Sequence, residues 1–442
     1  MTDATSGYPP GAAGADISTF VKSRAELITR DNRRLKAVIT VTPEIARVDC
    51  IRVVRARQEG RPLPLDGMTV VVKDNIDVGG VPGTLGSGHF RHRRPVLDAA
   101  VVQHIRRAGG VVFGTANLHE LAYGGTSSNP HFGSVRNPWA VDRIPGGSSG
   151  GSAVAVAAGW VTAALGTDTG GSVRCPASMT GVTGLRPTFG SLSRHGVYPL
   201  AKTFDTVGCL ARRATDIEKL MIAGGWRQSS EVRLTEPLRI GLPSNSYFRE
   251  LADPAIAQVV AEVGDLLTSH GHLVRDIEVP SPELCDEVAR LLVRSEAFAL
   301  HGERIVANEA DFGSDVVGRV LLGRQIGSGQ LATLRTQRHE LAAAMDVLFD
   351  SVDFLLLPTV PNPPAFVGQG DMVEVTERNL AFTYMWGVGG FPAISFPCGF
   401  SPDNMPIGAQ LIGPRGSDRS MCGVVRVIQE DTTWHLRHPG PR

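Results

Sequence analysis

Two glycine-rich loops carry serines 24 residues apart: Pro145-Gly146-Gly147-Ser148-Ser149-Gly150-Gly151-Ser152 and Gly166-Thr167-Asp168-Thr169-Gly170-Gly171-Ser172. Between them runs one short apolar stretch that reads as a helix. Cleaving an amide needs a nucleophile that can lose its proton, a stabilised oxyanion and a protonated leaving nitrogen. In Thr169-Gly170-Gly171-Ser172 two residues without side chains precede a serine, so backbone N–H groups can turn toward a substrate carbonyl with no Cβ in the way. Each such donor contributes about 3–4 kcal/mol by the usual mutational yardstick. Ser172 is the candidate nucleophile. A Gly-Gly-Ser taken alone is most often a turn. No Gly-Lys-Ser/Thr follows either loop, which argues against a phosphate-cradling loop, and no Gly-x-Ser-x-Gly elbow surrounds Ser172.

The candidate base lies upstream. Lys73 follows Val70-Val71-Val72 and precedes Asp74-Asn75. A lysine at a strand end is usually solvated, and only about 0.1% of an ordinary lysine is neutral at pH 7.5. Burial that lowers its pKa by about three, at roughly 4 kcal/mol, would make it a base. Ser148 can carry the proton between Lys73 and Ser172, because a hydroxyl both donates and accepts.

These groups need a scaffold, and the chain has the length for one. It has 442 residues, with 44 basic and 44 acidic side chains and no net charge. No basic run favours nucleic acid, and no apolar stretch is long enough to cross a bilayer; Ala153 to Leu165 is the longest. Six scattered cysteines without a CxxC pair suit a reducing cytoplasm and argue against structural zinc. No metal-ligand cluster or cofactor motif is legible, so neither is expected. Residues 1–18 read as a flexible leader and 19–442 as one domain: N-terminal helices 19–60, a catalytic core 61–215, and a substrate-pocket and C-terminal part 216–442.

Within that domain residues 16–60 read as helical. Met68 to Val72 forms a strand that ends at Lys73. Asp98 is placed to cap a helix through Val101, Val102 and Ile105, and Val111-Val112-Phe113 follows as a strand. The rhythm returns with a strand at 238–242, a helix opened by Asp253-Pro254, and extended structure at His272-Leu273-Val274. Phe354 to Leu357, Ile394 to Phe396 and Ala409 to Ile412 read as late strands, and Pro361 to Gln369 as a loop. Alternation of this kind predicts α/β layering.

The order Lys, Gly-Gly-Ser-Ser-Gly-Gly-Ser, Asp-Thr-Gly-Gly-Ser-x-Arg resembles the amidase signature family of serine hydrolases. So do the separations, 75 residues from Lys73 to Ser148 and 24 from Ser148 to Ser172. Further matches are Val72-Lys73-Asp74-Asn75, Thr115-Ala116-Asn117-Leu118-His119-Glu120, Asn137-Pro138-Trp139, Gly184-Leu185-Arg186-Pro187-Thr188, Phe391-Pro392-Ala393-Ile394-Ser395 and Pro406 to Gly413. The likeness covers roughly residues 25–437.

It implies a three-layer α/β/α fold with a large mixed central sheet, and a Ser-cisSer-Lys triad. Ser172 would form the acyl-enzyme, Lys73 would be the base, and Ser148 would bridge them behind a cis peptide from Gly147. Thr169, Gly170 and Gly171 would supply oxyanion N–H groups, with Tyr123 and Gly124 on the substrate side. Asp168, Arg174 and Ser149 would brace the loops. His119, His131 and His195 would not act as bases, and Cys175 would be a wall residue.

The resemblance implies a cytoplasmic amidohydrolase releasing ammonia or an amine from a small-molecule amide. No nucleic acid, membrane or cofactor is expected, and a homodimer is the default assembly. Two other readings stand beside it. One is the glutaminase (A-type) subunit of a tRNA-dependent amidotransferase. That subunit has an acid ahead of its late Gly-x-Pro-x-Ile-Ser element, where this chain has Arg378 to Trp386 without one. It also has a tyrosine after the Ser-Gly of a central helix, where this chain has Gln330. Tyr384 and Trp386 are candidates for lining an apolar acyl pocket. The other reading is a non-catalytic binding protein of the same fold, against which intact Lys73, Ser148 and Ser172 speak.

Overall fold

The strand–helix alternation resolves into one mixed sheet of eleven strands in the computed structural model, which describes residues 16–227 and 237–440. The strands are β1 (Val38–Val41), β2 (Thr69–Lys73), β3 (Val111–Ala116), β4 (Ala163–Asp168), β5 (Thr183–Arg186), β6 (Thr206–Ala211), β7 (Arg239–Pro243), β8 (Leu273–Ile277), β9 (Phe354–Pro358), β10 (Ala393–Phe400) and β11 (Pro406–Ile412). Their order across the sheet is β1-β3-β2-β4-β6-β5-β10-β11-β9-β7-β8. β2 runs parallel to both β3 and β4, and β7 runs parallel to β8 and β9. The pairings between β4 and β9 are antiparallel.

Helices cover both faces, and the side chains divide with the period of two that a strand imposes. Val70 and Val72 of β2 join one apolar cluster, and Val71 joins another on the opposite face. The same split separates Leu165 from Ala164 on β4, and Phe354 and Leu356 from Leu355 and Leu357 on β9. One face is a continuous apolar layer under the helices Ala100–Arg107, Ala214–Ala223, Pro254–Ser269 and Asp418–Asp431. The other face carries two clusters. The N-terminal helices Asp16–Leu35 and Pro43–Gln58 pack with Gly150–Ala157 over one end, and the long helices Pro282–Ala307 and Ser328–Ser351 pack over the other. This is the three-layer α/β/α arrangement that the motifs imply.

Local signals hold in places and fail in others. Asp253 caps the Pro254–Ser269 helix by accepting from the Ala255 N–H. The helical reading of 16–60 holds for two helices and misses β1 between them, whose β-branched run Val38-Ile39-Thr40-Val41 pairs antiparallel with β3. Asp98 does not cap its helix, which begins at Ala100. The carboxylate instead accepts from the Gly79 N–H at 2.7 Å and from Arg106 at 2.8 Å. Of the leader 1–18, residues 16–18 are the first turn of a helix, and the rest lies outside the described residues. No helix among the described residues is long and apolar enough to cross a membrane, and all six cysteines are buried and unpaired.

Candidate active site

β2 and β4 are parallel neighbours, so their carboxyl ends deliver Lys73 and Asp168 to the same edge of the sheet. Lys73 is fully buried. Its Nζ lies 2.8 Å from Ser148 Oγ, 2.9 Å from Thr167 Oγ1 and 3.4 Å from the Thr167 carbonyl. Burial lowers the ammonium's pKa to about 7, against the opposing pull of the Asp168 and Asp205 carboxylates. A substantial neutral fraction then exists at neutral pH.

Ser148 sits just ahead of the Gly150–Ala157 helix, and the Gly147–Ser148 peptide is cis. The two loops are clasped through backbone and hydroxyls. The Ser149 N–H donates to the Ser172 carbonyl at 3.0 Å, and Ser149 Oγ donates to the Thr167 carbonyl at 3.2 Å. Ser152 Oγ donates to the Leu165 carbonyl at 2.9 Å. Ser149 and Ser152 are therefore loop hydrogen-bonders, as expected. The Ser172 hydroxyl makes no hydrogen bond among the described residues and opens into a cavity.

Asp168 organises the second loop. Its buried carboxylate accepts from the N–H groups of Gly171 (2.8 Å) and Val173 (3.2 Å), from Arg174 Nε (3.0 Å) and Nη2 (2.9 Å), and from Arg186 Nη1 (3.2 Å). Burial alone would raise its pKa, but the two guanidiniums and these donors hold it well below the usual carboxylate range. Arg174 continues to the Thr383 carbonyl at 3.0 Å and Gln410 Oε1 at 3.4 Å. Gly171 departs from expectation, because its N–H points at Asp168 rather than at a substrate. The N–H groups of Thr169 and Gly170 remain for an oxyanion. Gly170 is required sterically, since a Cβ there would come within 2.4 Å of the Tyr384 ring, and Gly171 has φ +133°.

Two walls enclose the cavity in front of Ser172. One is built from the motif region: Tyr123, Gly124, Thr169, Ser172 and Leu200. The other comes from late helices: Arg290 and Arg294 from Pro282–Ala307, Arg319 from Ser314–Leu322, Glu377 from Met372–Asn379, then Leu380 and Tyr384. Tyr384 lines the cavity, but the pocket is not the apolar one expected, because Arg290, Arg294, Arg319 and Glu377 share its wall. Trp386 does not line it; it is fully buried, with its indole N–H donating to the Phe382 carbonyl at 2.8 Å. Gln330 is exposed in the first turn of the Ser328–Ser351 helix and does not line the cavity, so its identity says nothing about the substrate.

The three arginines, Glu377, Thr167 and Asp205 were not singled out from sequence. Asp205 accepts from Thr169 Oγ1 at 2.6 Å and from the Leu200 and Ala201 N–H groups at 2.9 and 3.0 Å, tying two pieces of the motif wall together. A readable signal existed for Arg290 and Arg294, which stand four apart and flank Leu291-Leu292-Val293 in a long amphipathic helix.

Other candidate groups are accounted for. His119 Nε2 is 2.9 Å from Asp315 and His131 Nε2 is 3.1 Å from Glu120, while His195 is exposed and does not line the cavity. Burial pushes the Cys175 thiol up to about 12, which suits a wall residue. Among the described residues no group of His, Cys, Asp and Glu could hold a metal.

A family model described as Amidase matches residues 20–422. The chain is 35% identical to a glutamyl-tRNA(Gln) amidotransferase subunit from Chromohalobacter salexigens, the A-type one, over 95% of this chain and 94% of that one. A solved structure from a vestigial protein complex that reveals the origins of an s-triazine catabolic enzyme superimposes with TM-score 0.87 at 30% identity, covering 94% of this chain and 95% of that one. The 6-aminohexanoate cyclic dimer hydrolase does so with TM-score 0.85 at 26% identity, covering 97% and 95%. These relatives correct one expectation. The motifs led to a chain that meets only a small-molecule amide, with no nucleic acid or membrane and a homodimer as default. A relative aligned over nearly its whole length is by name one component of an enzyme named for a tRNA. The matched model, the shared fold and the loop geometry lead to one assignment: this chain belongs to the amidase family of amide-cleaving enzymes.

Proposed function

We propose that the chain hydrolyses the C–N bond of a carboxylic amide through an acyl-enzyme on Ser172. The observation that carries this reading is the buried 2.8 Å contact between Lys73 Nζ and Ser148 Oγ, beside a Ser172 hydroxyl that faces the cavity. Neutral Lys73 takes the Ser148 proton as Ser148 takes that of Ser172, and Ser172 Oγ adds to the amide carbon. Ser148 meets Ser172 as the reacting carbonyl draws the nucleophile in, catalytic contacts commonly tightening only in the complex with substrate. The Thr169 and Gly170 N–H groups receive the oxyanion. The proton returns through Ser148 to the leaving nitrogen, which departs as ammonia or an amine, and water then enters by the same relay. In this reading 61–215 supplies the chemistry, and 216–442 completes the pocket.

A fluorophosphonate probe tests the reading. Wild-type protein should label and Ser172→Ala should not. Equal labelling of both would end it.

The second reading is the glutaminase (A-type) subunit of a tRNA-dependent amidotransferase, and the amidotransferase relative favours it. Against it, the stretch Arg378 to Trp386, where such a glutaminase has its acid, carries none and contributes Leu380 and Tyr384 to the pocket instead. Ammonia release from glutamine that rises when the remaining components of the amidotransferase are added would establish this second reading. Turnover indifferent to them would remove it.

A further inference from the structure

The cavity in front of Ser172 is too small for the reaction proposed there. The space open to the centres of water molecules is about 30 Å³. A single water needs roughly 10–15 Å³ by that measure, so two or three waters fill the site, and an amide with its acyl group does not fit. Substrate reaches Ser172 only after part of the lining has moved.

The Met372–Asn379 helix is the part suspended to move. Its residues Val373, Thr376 and Glu377, and Leu380 just beyond, line the cavity. The chain before it is fixed at Val367, whose N–H donates to the Asp142 carbonyl at 2.8 Å. The chain after it is fixed at Thr383, whose Oγ1 donates to the Gly170 carbonyl at 2.6 Å. Between the first anchor and the helix stand Gly368 and Gly370, at φ +74° and +75°, with no atom within 4 Å of where a Cβ would be. Two such residues in open space form a hinge.

The fastening of the helix to the motif wall centres on Gly125. The Gly125 N–H donates to Thr376 Oγ1 at 3.0 Å, and Asn379 Nδ2 donates to the Gly125 carbonyl at 3.3 Å. Thr376 and Asn379 are three residues apart on one helix face, so both reach the same glycine. Ser128 Oγ adds a contact to Met372 Sδ at 3.9 Å. The remaining polar contacts come from long guanidinium arms that can follow a moving helix: Arg319 to the Met372 carbonyl, and Arg290 and Arg294 to Glu377.

Resting on the amide-cleaving reading of Ser172, we propose that the Met372–Asn379 helix is the lid of this site. It swings on Gly368 and Gly370 to admit substrate, and it shuts when Thr376 and Asn379 clasp Gly125. The clasp also bears on the bridging serine. Two residues beyond Gly125, Ser127 Oγ donates to the Ser148 carbonyl at 3.4 Å and accepts from the Gly150 N–H at 3.1 Å. Shutting the lid therefore sets the segment that supports Ser148.

The test joins the lid to its clasp. A Cβ on Gly125 stands 3.4 Å from the Thr376 Cα, close enough for a disulfide between the two positions, and the six native cysteines are buried. Reduced Gly125→Cys/Thr376→Cys should label with the fluorophosphonate. Oxidised, it should lose labelling and amide turnover by about ten-fold or more, and dithiothreitol should restore both. The opposite variant, Thr376→Val/Asn379→Ala, removes the clasp and should label about ten-fold faster than wild type, the weight of one or two hydrogen bonds. Hydrogen exchange of amides 372–379 should be faster in this variant and slower in the oxidised pair, with 282–307 unchanged. An oxidised pair, its cross-link confirmed by mass, that labels as fast as its reduced form overturns the proposal. So does an unclasped variant whose labelling and exchange match those of wild type, and this variant decides alone where the cysteine pair does not fold. Wild-type protein that never labels at Ser172 removes the underlying reading instead, and exchange across 372–379 then decides the lid.

Discussion

The two walls of the cavity are built on different physical principles. The motif wall is held by short-range contacts through backbone, hydroxyls and one buried carboxylate: Ser149 to the Ser172 carbonyl, Ser152 to Leu165, and Gly171 to Asp168. Its side chains are buried, so little can change without losing a hydrogen bond in a low-dielectric interior. The opposite wall comes from helices, and its polar contacts are guanidinium–carboxylate pairs such as Arg294 with Glu377, where Glu377 is two-fifths exposed. Such a wall can exchange residues while its helices keep packing. In the proposed reading the contrast puts the reaction on one wall and the choice of substrate on the other.

Substitutions on the motif wall should strike kcat. Ser172→Ala should lower kcat by about 10⁴–10⁶-fold with binding kept, measured by ammonia release and by equilibrium binding of the amide that the wild-type chain turns over. Ser148→Ala should leave a measurable residue, because water can stand in for a hydroxyl relay but not for the nucleophile. Comparable kcat for wild type and Ser172→Ala would erase the distinction between the walls.

Next in size comes the support beneath the loop. Asp168→Asn leaves Arg174 and Arg186 buried beside a neutral partner. Breaking such a cluster costs about 3–5 kcal/mol. Urea unfolding should show a loss of that order, and an unchanged midpoint would mean that the cluster does not brace the loop.

Lys73 links activity and stability through pH. Its pKa is about 7 when folded and near 10.4 when unfolded. Only the neutral amine accepts a proton, so kcat/KM should rise with pH through about 7 and then level. Between pH 7 and 10 the unfolded chain holds a proton that the folded chain lacks, so unfolding takes one up. The lysine's contribution to stability therefore rises with pH across that window, by up to about 1.4 kcal/mol per pH unit. Lys73→Met should be inactive, and its stability relative to wild type should be greatest at pH 6–7 and fall toward pH 10. A pH-independent difference between the two would place the ionisation elsewhere.

The smallest expected effects are on the recognition wall and at its seam. Leu380→Asp should shift preference toward amides bearing an ammonium by about ten-fold in kcat/KM, with kcat on the best substrate little changed. Asp205→Asn keeps the shape, because an amide oxygen can still accept from Leu200 and Ala201. It reverses the hydrogen bond to Thr169, however, so about ten-fold should be lost from kcat rather than KM. A change confined to KM would move Asp205 to the recognition side.

The same division decides what could be read in advance. That Lys73 meets Ser148 and that Ser172 faces a cavity was legible because the proposed chemistry demands those residue types and the glycines around them admit no side chain. The buried strands β2, β3 and β9 were legible from unbroken apolar runs. β1 was missed because four residues between two helical patterns carry too little periodicity, although Pro43 at the start of the next helix marked the break. The Arg290, Arg294 and Arg319 wall was not legible. Charged residues on amphipathic helices are normally solvated, and only the packing of three helices against the loops turns these inward. Gln330 shows the opposite error, a position weighed as pocket that the helix places outside.

Arg174 has a consequence for how the protein is made. It stands two residues after Ser172, yet its partners Thr383 and Gln410 lie 209 and 236 residues further on. At about 5–20 residues per second, a ribosome needs roughly 10–50 s to supply them after the serine loop has been synthesised. Through that interval Arg174 lacks its later acceptors and the loop lacks Tyr384 and Thr383 against its glycines. The nascent chain thus carries Lys73, Ser148 and Ser172 early but gains the opposite wall late, so a chain cut short between Arg174 and Tyr384 has the three residues of the proposed relay without the complete cavity lining.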